Sequence, residues 1–319
     1  MERNHSIDAF RGLAIIGMVF FTVTLRLSST LPEPLRHNVW GSVHVGDFIL
    51  PMFLFASGLS LAYYLQKKKD QNTFFKDAII RFGGLAIIGI MLSYFSAYCF
   101  LEMDEVMLNA LLFLMCILIY RLHWVALLIV IFFINLSYLF LMHLDLTDIF
   151  IGHYLGGYPA SFYYLPLMLV GLLLGQGILS DGFWCKKNKI ILITISSYFL
   201  VFTILIPIHK LTATPSFMML SLLFCIFLFI IIEQIIKYIH LFNAVENIGK
   251  TPLRYWLIMY LLFLIPLRIY TDLNSYSFPL DIPWLFGILI SLGLIIVLFA
   301  FSTIFNHLYK TYKKEKYLH

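Results

Sequence analysis

Charge is what this sequence has least of. Asp, Glu, Lys and Arg make up 12% of its 319 residues, about half the share a water-soluble domain carries to solvate its surface. The deficit excludes a soluble globular protein, because most of the surface must face something other than water. Cysteine is scarce as well. Of the four, Cys116 and Cys225 lie inside apolar runs, Cys99 ends one and Cys185 stands beside Lys186, so neither a disulfide framework nor a metal-ligand spacing emerges. A cleaved leader is not expected, since Met1–Ser6 do not open into a short apolar stretch with a small-residue cleavage site. Internal repeats and low-complexity segments are also lacking.

Apolar residues fill the space left by charge: 61% of the chain is hydrophobic, with 31 Phe and 19 Tyr, and the mean hydropathy is +0.91. A helix crosses the hydrocarbon core with about 20 such residues. Apolar segments fall at 7–25, 45–65, 82–101, 106–120, 124–142, 160–179, 190–208, 217–236, 254–271 and 284–305. They are continuous and not alternating, which favours helices over a barrel, and helices satisfy their own backbone groups in lipid. The expected fold is therefore an all-α polytopic membrane bundle of about ten helices, forming one transmembrane domain over residues 1–319 within a lipid bilayer.

The net charge of +5 would suggest nucleic acid in a soluble protein. Here the basic residues flank apolar runs, where they set orientation, so no nucleic-acid partner is expected. With the N-terminus inside, the inner connections hold Lys67–Lys69, Lys76, Arg81, Arg121, Lys186, Lys187, Lys189, Lys237, Lys250 and Arg254. Acids gather outside, among them Glu33, Glu102, Asp104, Glu105, Asp145 and Asp148. Both termini then face the cytoplasm.

Two places carry chemistry. Asp8 and Arg11 share a helix face at the start of the first crossing and are able to pair; read as function, Arg11 meets an anionic group such as a phosphate. The outer loop after that crossing contains His37, Trp40, His44 and Asp47, the last opening an apolar run. A carboxylate there wants a partner. Histidine suits it, because a carboxylate that accepts one ring N–H leaves the other nitrogen free as a base.

The stretch Ile7-Asp8-Ala9-Phe10-Arg11-Gly12, then His37-x-x-Trp40, then Asp47-x-x-x-Pro51-x-Phe53-x-Phe55-x-x-Gly58 resembles the heparan-α-glucosaminide N-acetyltransferase catalytic family and its bacterial relatives. The resemblance implies a bundle that takes acetyl from cytosolic acetyl-CoA as co-substrate, with no metal, and delivers it to a saccharide on the far side. It makes His37 the active-site histidine, with Asp47 close to it and Trp40 and Asp8 as substrate contacts. It also implies residence in a bacterial inner membrane. A weaker likeness, Asn247–Tyr255, would let Lys250 and Arg254 join Arg11 at the CoA phosphates; as plain sequence, its Gly249 and Pro252 make a helix-breaking turn. The chain departs from relatives at Thr22, where they carry Asn, and at Gly156–Ala160, where they carry Asp-Pro-Glu-Gly.

The expected partners are a saccharide or glycoconjugate substrate and the bilayer, with a homodimer left open. Direct transfer and a covalent acyl-histidine both use His37, and a transporter or flippase remains the alternative class. Elsewhere the residues read as structure. The His143–His153 loop is solvated, Glu233 pairs with Lys237, Tyr94-Phe95 and Phe162–Tyr164 anchor at the interface, and Gly83-Gly84 and Gly171-x-x-x-Gly175 let helices pack closely.

Overall fold

A computed structural model describes residues 4–35, 43–68, 74–95, 103–144, 146, 157–210, 212–236, 238, 242–274, 280 and 282–316. Among these residues there is no strand, and the protein is an all-helical, polytopic membrane protein. Eight stretches are long and apolar enough to cross a bilayer: His5–Leu27, Val45–Lys68, Trp124–His143, Tyr158–Asp181, Lys186–Leu205, Pro215–Ile235, Pro252–Asn274 and Trp284–Ile304. Each overlaps a segment expected from the sequence. The two other expected crossings are helices of a different kind. One, Phe74–Phe95, begins well before residue 82 and carries Lys76, Asp77 and Arg81 in its first turns; the other, Glu105–Ile119, has only 15 residues. At 1.5 Å per residue the latter spans roughly 22 Å, short of the ~30 Å hydrocarbon core.

Internal contacts divide the chain into two compact units, one of residues 37–228 and one of residues 2–36 with 229–319. The first contains α2 (Ile49–Lys68), α3 (Phe74–Phe95), α4 (Glu105–Ile119), α5 (Trp124–His143), α6 (Gly157–Asp181), α7 (Lys186–Leu205) and most of α8 (Pro215–Ile235). Its most extensive helix contact is between α2 and α6. A Cβ on Gly58 would strike the Met168 carbonyl, and one on Gly171 would strike the Phe55 carbonyl. Lipid tails are as apolar as Leu, so helices in a membrane associate where small residues let backbones touch, and these glycines do that. Gly175, one turn on, faces Ala62 in the same way. Gly83 and Gly84 play no such part, for a Cβ on either meets nothing within 4 Å. The aromatic reading is corrected too: Tyr163 and Tyr164 are buried, and the Tyr163 ring packs edge-on against Tyr138 at 5.2 Å. Tyr94 and Phe162 are exposed.

The second unit is built on α1 (His5–Leu27), whose N-terminus is capped by the Asn4 side chain accepting from the Ser6 and Ile7 amides at 3.0 and 3.1 Å. A short helix absent from the expected set, α9 (Phe242–Lys250), lies against it. Its Gly249 leaves room for the Asp8 carbonyl, and Gly12 of α1 leaves room for the Val245 carbonyl. Thr251 then breaks the chain and Pro252 starts α10 (Pro252–Met259), as the Gly–Pro pair suggests. A π-turn at Tyr260–Leu264 joins α10 to α11 (Ile265–Asn274). Pro266 accounts for it: the missing N–H and the ring displace the carbonyl four residues back, inside that turn. The last helix, α12 (Trp284–Lys316), is tied to α1 by Thr24 and Ser291, whose hydroxyls lie 2.6 Å apart.

These contacts separate structural glycines from idle ones. Gly171→Leu should lower the thermal unfolding midpoint of detergent-purified protein by the equivalent of about 1–3 kcal/mol, as overpacking does. Gly83→Ala should be neutral, or stabilising by up to about 1 kcal/mol.

Candidate functional site

Asp47 stands in a 3-10 turn, Val45–Phe48, that feeds directly into α2. Its amide donates to the His44 carbonyl at 3.0 Å, while its Oδ2 accepts from the His44 amide at 2.9 Å, which locks the turn. The next residue, Phe48, stacks on Phe224 with centroids 4.4 Å apart, so the start of the helix is clamped against α8. The Asp47 side chain is wholly buried, and its Oδ1 meets the Lys210 ammonium at 2.9 Å.

Lys210 comes from the turn between α7 and α8, and that turn is densely bonded. The Lys210 carbonyl accepts from the Ala213 amide at 2.9 Å, and the His209 amide donates to Thr214 Oγ1 at 2.9 Å. His209 Nδ1 lies 3.0 Å from Thr212 Oγ1. Ala213 holds a φ of +53°, a left-handed conformation that a non-glycine residue adopts at a cost of about 1 kcal/mol or more. Burial lowers the affinity of Lys210 for its proton, and the charges of Asp47 and, more weakly, Glu105 pull the other way. Asp104 and Glu105, at the start of α4, are buried as well. Burial first, and then the neighbouring Glu105, push Asp104 well above the usual carboxylate range. The result is a desolvated set of three carboxyl groups and one ammonium. Sequence reasoning found Asp47 but missed Lys210, which lies 163 positions away. The one available signal was that Lys210 is one of the few basic residues, with Arg26, Arg36 and Arg268, in connections expected to lie outside.

His37 and Trp40 lie outside the described residues, as do Asp145, Asp148 and His153 of the second outer loop and Lys237, the expected partner of Glu233. Cys116, Cys185 and Cys225 are free thiols. Among the described residues, no group of three or more His, Cys, Asp or Glu side chains is placed to hold a metal ion.

The remaining expected site residues gather in the second unit. Arg11 pairs with Asp8, Nη2 to Oδ1 at 2.9 Å, and its Nε donates to the Gly249 carbonyl at 2.5 Å. Lys250 pairs with Glu246 at 2.5 Å and donates to Asn247 Oδ1 at 3.1 Å. His5 Nδ1 reaches the same Glu246 at 2.9 Å. The structure thus brings Asp8, Arg11 and Lys250 together where α1 meets α9, with both cations in internal ion pairs; Arg254 is exposed on α10. Burial opposes ionisation of Glu246, but Lys250 and His5 outweigh it and hold the carboxyl below its usual 4.5.

A cavity of about 680 Å³ opens at the far end of α2 from Asp47, between the C-terminal turns of α2, α4 and α6.

The chain matches the heparan-alpha-glucosaminide N-acetyltransferase catalytic family model over residues 3–190, more than half of its length. No curated protein matches the chain significantly.

Lys210→Met leaves a buried carboxylate without its cation and should destabilise the protein by about 3 kcal/mol or more, seen as a lower unfolding midpoint. Asp47→Asn in the same chain should recover a large part of the loss. The Glu246 pairs act in the opposite pH sense from a raised group: their contribution is present above pH 4.5 and disappears as pH falls through the lower folded-state value. Glu246→Gln should therefore cost about 1 kcal/mol or less at pH 7, and the two proteins should converge in thermal stability well below pH 4.5.

Proposed function

We propose a reaction for this chain, which belongs to the heparan-alpha-glucosaminide N-acetyltransferase catalytic family and is thereby a membrane acetyltransferase. The donor is acyl-CoA, in the first instance acetyl-CoA, taken from the cytosol. The acceptor is an amine or hydroxyl of a saccharide or glycoconjugate on the opposite side of a bacterial inner membrane. In this reading the Lys- and Arg-rich helix ends and both termini face the cytoplasm, and the Asp47 end of α2 faces out, in keeping with retention of positive loops inside.

His37 is the base. It removes the acceptor's proton as the acceptor nitrogen or oxygen attacks the thioester carbonyl. The C–S bond then breaks, and the sulfur leaves as CoA thiolate, which is protonated from His37 to the free thiol. Asp47 accepts from the other ring nitrogen, sets the tautomer and stabilises the imidazolium. Trp40 and Asp8 contact substrate, and Arg11, Lys250 and Arg254 are the expected cationic contacts for the CoA phosphates. If acetyl instead passes through an acyl-histidine, the same ring is its carrier.

The observation that carries this reading is the wholly buried Asp47, ten residues after His37, clamped at a helix mouth and neutralised by Lys210. A carboxylate is expensive to bury without a cation, and Lys210 supplies one here at 2.9 Å, in keeping with the fixed anion that a His–Asp base requires. A correctly placed general base is worth about 10²–10⁴-fold. His37→Ala should therefore reduce transfer from labelled acetyl-CoA to a panel of amino sugars by at least that order, while insertion and yield of the protein stay normal. Asp47→Asn should lower kcat more than it raises KM. Retained transfer by His37→Ala would remove the histidine from the mechanism and leave transport of a saccharide as the better account.

A further inference from the structure

A cation beside the carboxylate that serves a base alters what the base can do. The Lys210 ammonium reaches Asp47 Oδ1 at 2.9 Å, while Oδ2 of the same carboxylate accepts from the His44 amide at 2.9 Å. The Asp47 side chain has no exposure and that of Lys210 only 16%, so solvent does little to screen these charges from each other or from a neighbour.

The turn that presents Lys210 is fastened on both sides of it. The Thr214 hydroxyl accepts from the His209 amide at 2.9 Å and donates to the His209 carbonyl at 3.1 Å. The Thr212 hydroxyl bonds to His209 Nδ1 at 3.0 Å and to the Tyr138 hydroxyl of α5. The titratable side chains on the elements that meet here are Asp47 and His44 from the turn opening α2, Asp104 and Glu105 from the start of α4, and His209. Burial lowers the proton affinity of Lys210, and Asp47 first, then Glu105, pull it back up. Burial and Glu105 both oppose ionisation of Asp104.

We propose that Lys210 is a positioning residue for acetyl transfer: by cancelling the charge of Asp47, it keeps the histidine that Asp47 orients unprotonated at neutral pH and therefore available as a base. The inference rests on the His37–Asp47 reading, and its sign follows from the charges. An imidazolium is strongly favoured beside an uncompensated buried carboxylate, so the ring would already hold a proton before the acceptor arrived. With Lys210 in place the carboxylate still accepts the ring N–H and sets the tautomer, but the ring faces a pair with no net charge. Its proton affinity then stays closer to the ordinary histidine range.

The test is the pH dependence of kcat/KM for transfer from labelled acetyl-CoA to glucosamine by the detergent-purified full chain, whose acid limb reports the base in the free enzyme. Titration of the acceptor amine is common to every variant and drops out of the comparison. The pair is neutral in the parent and in Asp47→Asn/Lys210→Met, negative in Lys210→Met and positive in Asp47→Asn. The acid limb should rise by about one pH unit in Lys210→Met, fall in Asp47→Asn and return near the parent position in the double variant. Lys210→Arg, which keeps the charge, should keep the parent limb whatever its rate. Acid limbs that coincide across the series while unfolding midpoints differ would reduce Lys210 to a stabilising residue and overturn the proposal. Where Lys210→Met is too unstable to assay, Asp47→Asn and the double variant decide, since that comparison removes the ammonium without stranding a carboxylate: the limb should rise, and equal limbs overturn the proposal. A parent that transfers no acetyl, or a His37→Ala protein whose transfer keeps the parent's acid limb, would instead overturn the His37–Asp47 reading on which it rests.

Discussion

Two backbones that touch with no side chain between them hold the first unit in place. At Gly58 and Gly171, α2 and α6 approach so closely that a single added methyl would meet a carbonyl. In lipid this is how helices gain packing energy, since burying a leucine against another leucine offers little over burying it in tails. The contact fixes α2 along its length. One of its ends begins at the buried Asp47, and the other opens into the cavity formed as the two helices spread past Gly175.

Buried charge is the second constraint. Asp47 has no access to water, and a carboxylate there is tolerable only with a cation and fixed hydrogen-bond donors. Lys210 supplies the first and the His44 amide is among the second. The turn that carries Lys210 is itself costly, with Ala213 in a left-handed conformation and the Thr214 hydroxyl bonded to both the amide and the carbonyl of His209. A turn organised to this degree holds the ammonium in one position against Asp47. Asp104 beside Glu105 extends the same logic, because burial and the adjacent carboxyl group both oppose its ionisation.

The second unit repeats the glycine device in a smaller form, with α9 lying on α1 through Gly12 and Gly249. Here two of the residues read from the sequence as phosphate ligands, Arg11 and Lys250, are held in internal ion pairs. Arg11 links Asp8 to the Gly249 carbonyl, and Lys250 links Glu246 to Asn247. The i,i+3 pairing of Asp8 with Arg11 was legible because it is local. The Gly249 carbonyl was not, because nothing in nine mixed residues announces that 242–250 is a helix against α1. A segment that short owes its helicity to the surface it packs on.

Hydropathy and local spacing were enough to establish a helical membrane protein, the rough place of nearly every span, the break at Thr251–Pro252, and Asp47 at a helix mouth. Each of these follows from a sum over a short window or from a contact within one turn, and such quantities survive in a one-dimensional string. Which glycines carry a helix contact was not of this kind: Gly171 and Gly83 look alike in sequence, yet one meets a carbonyl and the other open space. The partner of Asp47 and the cavity beyond Gly175 were likewise decided only by the tertiary structure. Both depend on which faces of distant helices meet and at what point they part, and no window that slides along the chain contains that information.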